Sequence, residues 1–352
     1  MSNSFSNRLE KLFNWKPDNS CINIFTVDAH TEGEPLRVIV GGLPELKGNS
    51  ILSRRKYLKD NLDHIRKVLM WEPRGHADMY GCIITPPFSK NADFGVIFTH
   101  NEGYSTMCGH GIIAVSKVML ETGFIPSIEP ITKIRIDSPA GLITSYAKVK
   151  NGKVGSVYFH NVPSFVYSMD QQVDVNGIGI VEYDIAFGGA YYAFVDAASV
   201  GLTCTPDKLK DLIDVGMKIK KAVIKKDKII HPFEKDLNFL YGTIFIGPPL
   251  NKKSHSRNVC IFADGEVDRS PTGTGVSARL ALHYNRSEIK IGQKLIIESI
   301  IGTTFTGSVF STTQFGKYDA VVPEVEGTAF ITGKNQFIIE PNDNLKDGFL
   351  IK

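Results

Sequence analysis

Cysteine is scarce in this chain and poorly placed for cross-linking. Its five residues, Cys21, Cys82, Cys108, Cys204 and Cys260, are odd in number and widely scattered. No C-x-x-C pair points to a zinc site or a redox couple, so reduced thiols in a cytoplasmic protein are expected. Net charge is nearly lacking too: 40 Lys and Arg against 37 Asp and Glu leave +3. That is too little for a nucleic-acid footprint, although it leaves room for a small anionic substrate. No run approaches the ~20 apolar residues that span a bilayer, and the opening MSNSFSNRLEKLFNWKPDNSC has no apolar signal core. Neither secretion nor a membrane partner is expected. What the chain does have is core and turn material, with 42% hydrophobic residues, 32 Gly and 17 Pro in 352 residues. That length suits two domains, each able to bury its own core without metal or disulfide staples.

Ile22 to Val27 and Leu36 to Val40 are β-rich runs around the turn-like HTEGEP. The residues before them read as a loose arm, placing the ordered start near Cys21. Ile51, Leu58, Leu62, Ile65 and Leu69 recur at helical spacing and predict one surface helix, capped by Asn49 or Ser50 and ended before Pro73. Short runs rich in Val, Ile, Phe and Tyr predict strands at 94–99, 133–136, 143–149 and 154–160. The second half repeats the theme at 184–186, 191–195, 243–246, 259–262, 295–298 and 304–310. A helix interrupts it, starting at Thr205-Pro206 as cap and first position, with Leu209, Leu212, Ile213 and Met217 on one side.

The most informative feature is an internal repeat. MCGHGIIAVSKVML at Met107 to Leu120 has its counterpart in PTGTGVSARLALHY at Pro271 to Tyr284, sharing x-G-x-G-(I/V)-x-A at a constant offset of 164 residues. Cys108 aligns with Thr272, Gly109 with Gly273 and Gly111 with Gly275, which implies two copies of one architecture. After the glycines both segments are apolar on nearly every side, as befits a helix in the middle of a domain.

Such a helix keeps free N–H groups at its first turn, and two first turns facing each other would make an anion site suited to an amino-acid carboxylate. Glycines at 109, 111, 273 and 275 let backbone approach a ligand closely. Cys108 stands just before the first turn, where the helix start is expected to lower its pKa from ~8.5 and make it a base. The plainer alternative is a small buried hydrophobe beside a tight turn, against which the duplicated setting speaks. The other four cysteines lack that setting and read as structural. His110 either binds substrate and assists proton transfer or packs as a cap, and Asp268 either holds a substrate amine or pairs with Arg269. Neither motif fits a phosphate loop or a dinucleotide fingerprint, so no nucleotide cofactor is called for.

MCGHG around Cys108 and DRSPTGTG from Asp268 to Gly275 resemble the two signature motifs of the proline racemase family. The likeness extends over nearly the whole chain, through HTEGEP at His30 to Pro35, EPRGHADMYG at Glu72 to Gly81, HNEGYSTMCGHG at His100 to Gly111, FGGAYYAF at Phe187 to Phe194 and YGTI at Tyr241 to Ile244. Glu32 departs from the HTGGEP form common in the family. The resemblance implies an α/β (α+β) chain of two pseudo-symmetric domains with the diaminopimelate epimerase-like fold, each wrapping strands around a central helix. Residues 1–163 with 335–352 would carry the Cys108 motif, and residues 164–334 the Thr272 motif. A homodimer is expected on the same ground.

Racemases and 4-hydroxyproline epimerases of the family commonly oppose two cysteines across the substrate α-carbon. Here Thr272 stands at the second position, its hydroxyl is far too weak an acid or base to replace a thiol, and no other cysteine lies beside that motif. The Cys plus Thr combination resembles the trans-3-hydroxy-L-proline dehydratase branch. It implies that the Cys108 thiolate takes the α-proton while the C3 hydroxyl leaves as water, giving Δ1-pyrroline-2-carboxylate. Gly109, His110, Gly273 and Thr274 would hold the carboxylate through backbone N–H groups, Asp268 the ring ammonium, and Thr272 the substrate's other face. His110, Thr272 and a bound water stand open as the group that protonates the leaving hydroxyl. No metal or organic cofactor is required. The alternatives are a proline racemase or 4-hydroxyproline epimerase and, outside enzymes, a small-molecule-binding protein of the same fold.

Overall fold

In this computed structural model, which describes residues 2–351, the chain opens with helix α1 (Ser2–Phe13) where the sequence led us to expect a loose arm. Phe5, Leu9 and Leu12 recur at helical spacing, and Asn14 Nδ2 donates to the Glu10 carbonyl at 2.9 Å to close the last turn. All three apolar side chains stay exposed, so local helical bonding rather than burial orders the segment.

The first half follows. A hairpin of β1 (Ile22–Thr31) and β2 (Glu34–Gly41) leads into α2 (Ile51–Asn61) and α3 (Asp63–Met70). The single helix expected here is thus two, because Leu62 adopts φ −131° and interrupts the ladder. Ser50 caps α2 through a reciprocal pair with Ser53, and Asp63 restarts the chain by pairing with Arg66 at 2.7 Å. The break turns both apolar faces inward, so Ile51 and Leu58 share a small core with Ile65, Val68 and Leu69. Strands β3 (Tyr80–Thr85) and β4 (Phe94–His100), the buried helix α4 (Gly109–Glu121), and β5 (Ile131–Ser138), β6 (Gly141–Lys150) and β7 (Lys153–His160) complete the half.

The second half repeats the plan with β8 (Ser164–Val175), β9 (Gly179–Phe187), β10 (Tyr191–Asp196), helix α5 (Leu209–Lys226), β11 (Leu240–Gly247), β12 (Ser256–Phe262), β13 (Glu266–Val267), helix α6 (Gly273–Asn285), β14 (Leu295–Glu298), β15 (Thr304–Phe315) and β16 (Tyr318–Ile339). Thr205 does not cap α5 through its side chain; Pro206–Lys208 form a 3-10 turn first, and the helix proper begins at Leu209. Leu212, Ile219 and Val223 face the core, while Lys218, Lys221, Lys225 and Lys226 are exposed and Lys220 donates to the Ala263 carbonyl.

One strand joins the two halves. The sheet runs β1-β2-β3-β4-β5-β6-β7-β16-β15-β14-β12-β11-β10-β9-β8, and β16 also pairs with β1 and β8. Each half therefore closes into a ring that shares β16. Helix α4 fills the first ring, buried from Gly109 to Leu120, and α6 fills the second, buried from Gly273 to Leu282. This is the mixed α/β architecture of strands around central helices that the repeat predicts. Buried at the centre, each helix can direct only its N-terminus toward the other half.

Candidate active site

The starts of α4 and α6 touch. A Cβ on Gly109 would lie 2.6 Å from Gly273 Cα, and one on Gly273 would lie 2.8 Å from Gly109 Cα, so only glycine permits this crossing. The next glycines are matched as well: Gly111 packs against Phe98 of β4 and Gly275 against Ile244 of β11. First-turn N–H groups lie outside the helical ladders, and the first-turn residues Gly109, His110, Gly273 and Thr274 line one cavity. Contacts across the halves fix the arrangement, with Thr106 Oγ1 donating to the Gly189 carbonyl at 2.8 Å and Asn161 Nδ2 donating to Ser277 Oγ at 2.9 Å.

Cys108 precedes α4 in extended conformation, and its Sγ accepts from the Gly111 N–H at 3.2 Å. His110 Nδ1 lies 3.3 Å from the same sulfur. Thr31 Oγ1 holds the His110 carbonyl at 2.8 Å, and Tyr80 meets the imidazole edge-on at 4.8 Å. The helix start favours thiolate, as the sequence led us to expect, but burial opposes it more strongly and pushes the Cys108 thiol well up from its ordinary value. The closed cavity therefore holds a thiol. Burial also keeps the imidazole neutral, with the His110 pKa pushed down to about 3.

Thr272 faces the cavity from the start of α6, but in a different conformation. Its φ is +65°, uncommon for a β-branched residue, and its side chain does not cap the helix. Tyr192 Oη lies 2.7 Å from Thr274 Oγ1. Asp268, 5% exposed, accepts from the Ser270 N–H at 2.7 Å, and burial raises its carboxyl to about 6. It does not pair with Arg269, which instead binds Asp78 at 2.6 Å and donates its N–H to Glu34 at 2.6 Å. Glu34 is fully buried, and desolvation and the nearby Asp268 hold its carboxyl well above the usual range.

All seven sequence-singled residues, Cys108, Gly109, His110, Asp268, Thr272, Gly273 and Thr274, line one cavity of about 20 Å³. Sequence reasoning missed the rest of its wall. Tyr80, Tyr192 and Tyr241 contribute hydroxyls, and Cys260 of β12 brings a second thiol. That thiol corrects the expectation that no other cysteine is near the Thr272 motif: Cys260 is twelve residues before Thr272 in sequence, but β12 lies next to the motif in space, since Asn258 Nδ2 holds the Pro271 carbonyl at 3.0 Å. The motif-like runs containing Tyr80, Tyr192 and Tyr241 were the signal for the tyrosines.

Paired helix starts inside strand rings, meeting at a polar cavity, define an epimerase-like fold. A crystal structure of a hydroxyproline epimerase from Agrobacterium vitis, with bound trans-4-hydroxy-L-proline, superposes with TM-score 0.88 at 30% identity, covering 94% of this chain and 96% of that one. Residues 26–350 match the proline racemase family, and the chain belongs to it. Among its relatives, a trans-3-hydroxy-L-proline dehydratase of Colwellia psychrerythraea is 48% identical over the full length of both chains. Another protein of that name, from Bacillus thuringiensis subsp. konkukian, is 51% identical over 93% of this chain and 97% of its own. A proline racemase of Clostridioides difficile is 42% identical over 94% and 98%.

Proposed function

We propose that the protein is a hydro-lyase that dehydrates trans-3-hydroxy-L-proline to Δ1-pyrroline-2-carboxylate and water, with Cys108 as the only base at the α-carbon. The observation that carries this reading is the facing of Cys108 and Thr272 across one cavity at the touching starts of α4 and α6. Two relatives bearing that dehydratase name support it. The division of the chain at 163/164, with 335–352 returning to the first domain, belongs to the same reading, supported by the pairing of β1 with β16 through Ile22↔Ile339. Five free cysteines fit a reducing compartment.

A cavity of about 20 Å³ has room for about one water, far less than a carboxylated five-membered ring needs. Substrate therefore enters when the halves part, and closure strips water from it. The ring ammonium then sits against Asp268, and the carboxylate takes the N–H groups of Gly109, His110, Gly273 and Thr274. A cation arriving beside a buried thiol favours thiolate, so substrate itself offsets the burial that keeps Cys108 protonated. The sulfur takes the α-proton, the C–H electron pair becomes the C2–C3 double bond, and the C3–O bond breaks with its pair on oxygen, which takes a proton from His110, Thr272 or a bound water and leaves as water. The enamine then tautomerises to the imine.

Cys260 favours a second reading, since a thiol in the wall beside Thr272 is the kind of group a two-base racemase needs. Incubation with trans-3-hydroxy-L-proline, trans-4-hydroxy-L-proline and L-proline in D2O separates the two. Imine from the 3-hydroxy compound alone supports dehydration. Deuterium at the α-carbon with inversion in the others overturns it. Cys108→Ser is expected to abolish turnover.

A further inference from the structure

We propose that Tyr80, Ser105 and Tyr241 form a proton relay linking the Cys108 thiol to solvent while the cavity is closed. The inference rests on the reading of Cys108 as the base. Tyr80 Oη donates to Ser105 Oγ at 2.5 Å, and Ser105 Oγ lies 2.9 Å from Tyr241 Oη. At the inner end Tyr80 and Cys108 line the same cavity of about 20 Å³, and with its own proton given to Ser105 the Tyr80 oxygen can still accept one from the thiol. At the outer end Tyr241 belongs to two walls at once: that of the closed cavity and that of a separate open cleft of about 400 Å³, which it shares with His100, Tyr104 and Lys220. The rest of this partition is aromatic, with Phe262 stacked on Tyr241 at 5.3 Å and His100 stacked on Tyr80 at 5.9 Å. Three hydroxyls thus thread a wall that otherwise excludes water.

The chemistry needs such a thread. A thiol that is protonated at rest must lose its proton after substrate has closed the cavity; taking the α-proton then restores the resting thiol, and the C3 hydroxyl needs one proton back to leave as water. Each hydroxyl both donates and accepts, so one displacement along the chain moves a proton without moving an atom far. Outward, Sγ–H gives its proton to Tyr80 Oη, Tyr80 gives its own to Ser105 Oγ, Ser105 to Tyr241 Oη, and Tyr241 to water in the cleft. One proton enters the chain at Tyr80 and one leaves at Tyr241; the reverse displacement returns a proton to the site for the departing hydroxyl, so the cycle is proton-neutral, every hydroxyl ends protonated, and nothing is oxidised or reduced. Burial raises both tyrosine hydroxyls well above their ordinary values, so they conduct by concerted transfer and hold no charge.

The test compares Tyr241→Phe and Ser105→Ala with the unaltered protein, using trans-3-hydroxy-L-proline. Phe keeps the ring against Phe262, and Ala removes one oxygen. We expect kcat to fall by roughly 10²-fold, the usual worth of positioned proton transfer, with KM nearly unchanged. In H2O/D2O mixtures the dependence of kcat on deuterium fraction should be curved for the unaltered protein and linear for both variants. Ser105→Thr, which restores a hydroxyl, should recover turnover. Unchanged kcat in both variants, or a fall with an unchanged deuterium dependence, overturns the relay and leaves these groups as packing. Turnover by Cys108→Ser would instead remove the base itself, so the two failures are distinguishable.

Discussion

Gly109→Ala tests the geometry on which the whole site depends. The added methyl would stand 2.6 Å from Gly273 Cα, 3.0 Å from the Gly273 carbonyl carbon and 3.2 Å from Phe159 Cζ. Ordinary carbon contacts are ~3.5 to 4.0 Å, so α4 and α6 must part by about 1 Å. Two of the three obstacles are backbone, which has no rotamer to escape into. Alanine contributes about 1 kcal/mol of helix propensity over glycine, against an overpacking cost of ~1 to 3 kcal/mol. The net is a destabilisation on the order of 1 kcal/mol, visible as a lower urea midpoint with unchanged slope. The effect on activity should be much larger, because a shift of about 1 Å in a positioned group costs roughly 10²-fold. Gly123→Ala is the control: its φ is +76° and nothing stands within 4 Å of the new methyl, so it should carry backbone strain without a loss of turnover. Steady-state kinetics and binding of pyrrole-2-carboxylate, a planar mimic of the deprotonated ring, read the outcome. If Gly109→Ala binds that mimic and turns over substrate as the unaltered protein does, the two helix starts are not in contact in the working enzyme and the argument for a shared anion site fails.

Asp268→Asn should stabilise the protein at neutral pH while abolishing turnover. The folded carboxyl titrates at about 6 instead of 3.8, so the folded state holds its proton where the unfolded chain has lost it. Stability consequently falls as pH rises from ~4 to ~6, by up to about 3 kcal/mol, and the variant should lack that part of the urea-midpoint profile. Glu32→Gly exchanges strain for hydrogen bonds. Glu32 sits at φ +51° and its Oε1 accepts from the Thr328 N–H and hydroxyl at 2.9 and 2.6 Å. Relief of roughly 1 kcal/mol of left-handed strain set against two bonds of about 1 to 2 kcal/mol each predicts a lower urea midpoint. Thr272→Cys should gain epimerisation of trans-4-hydroxy-L-proline, read by chiral chromatography; its complete absence would show that residue 272 alone does not set the outcome.

How much of this was legible depended on the range of the signal. The two helix starts could be read because glycine spacing and an all-apolar continuation are local, and the repeat doubled them. Most strands around α4 and α6 announced themselves through β-branched and aromatic runs. The 22-residue β16 did not, since Pro323, Gly327 and Gly333 break its pattern, and its identity as a strand comes from pairing with four others. The break at Leu62 was equally hidden, because a spacing that suits one long helix suits two short ones turned slightly. Within the site, motif residues were found and wall residues were not. Cys260 lies in an ordinary strand run, and only its registry opposite Ile244 of β11 sets the thiol near Thr272. The thiol's resting state was misjudged for a related reason: the helix start is visible in sequence, whereas the burial that outweighs it is a property of the closed fold.

The departure from symmetry at residues 108 and 272 bears most directly on the chemistry. Duplication alone would give both helices the same cap. Instead Cys108 is extended at φ −145° and its sulfur takes the Gly111 N–H, whereas Thr272 is held at φ +65° with no cap bond. Among the described residues its Oγ1 is also buried without a hydrogen bond of good geometry, though it lies close enough to Asp268 and Cys260 to favour their charged forms. Strained backbone and an unsatisfied buried hydroxyl each cost about 1 to 3 kcal/mol. A fold that needed only a turn here would release that cost by capping α6. The Cys108 sulfur is bonded to the start of its helix, whereas Thr272 keeps its hydroxyl free of α6 in the wall of the same cavity. A one-base elimination uses the two halves in that unequal way, while a racemase needs them equivalent.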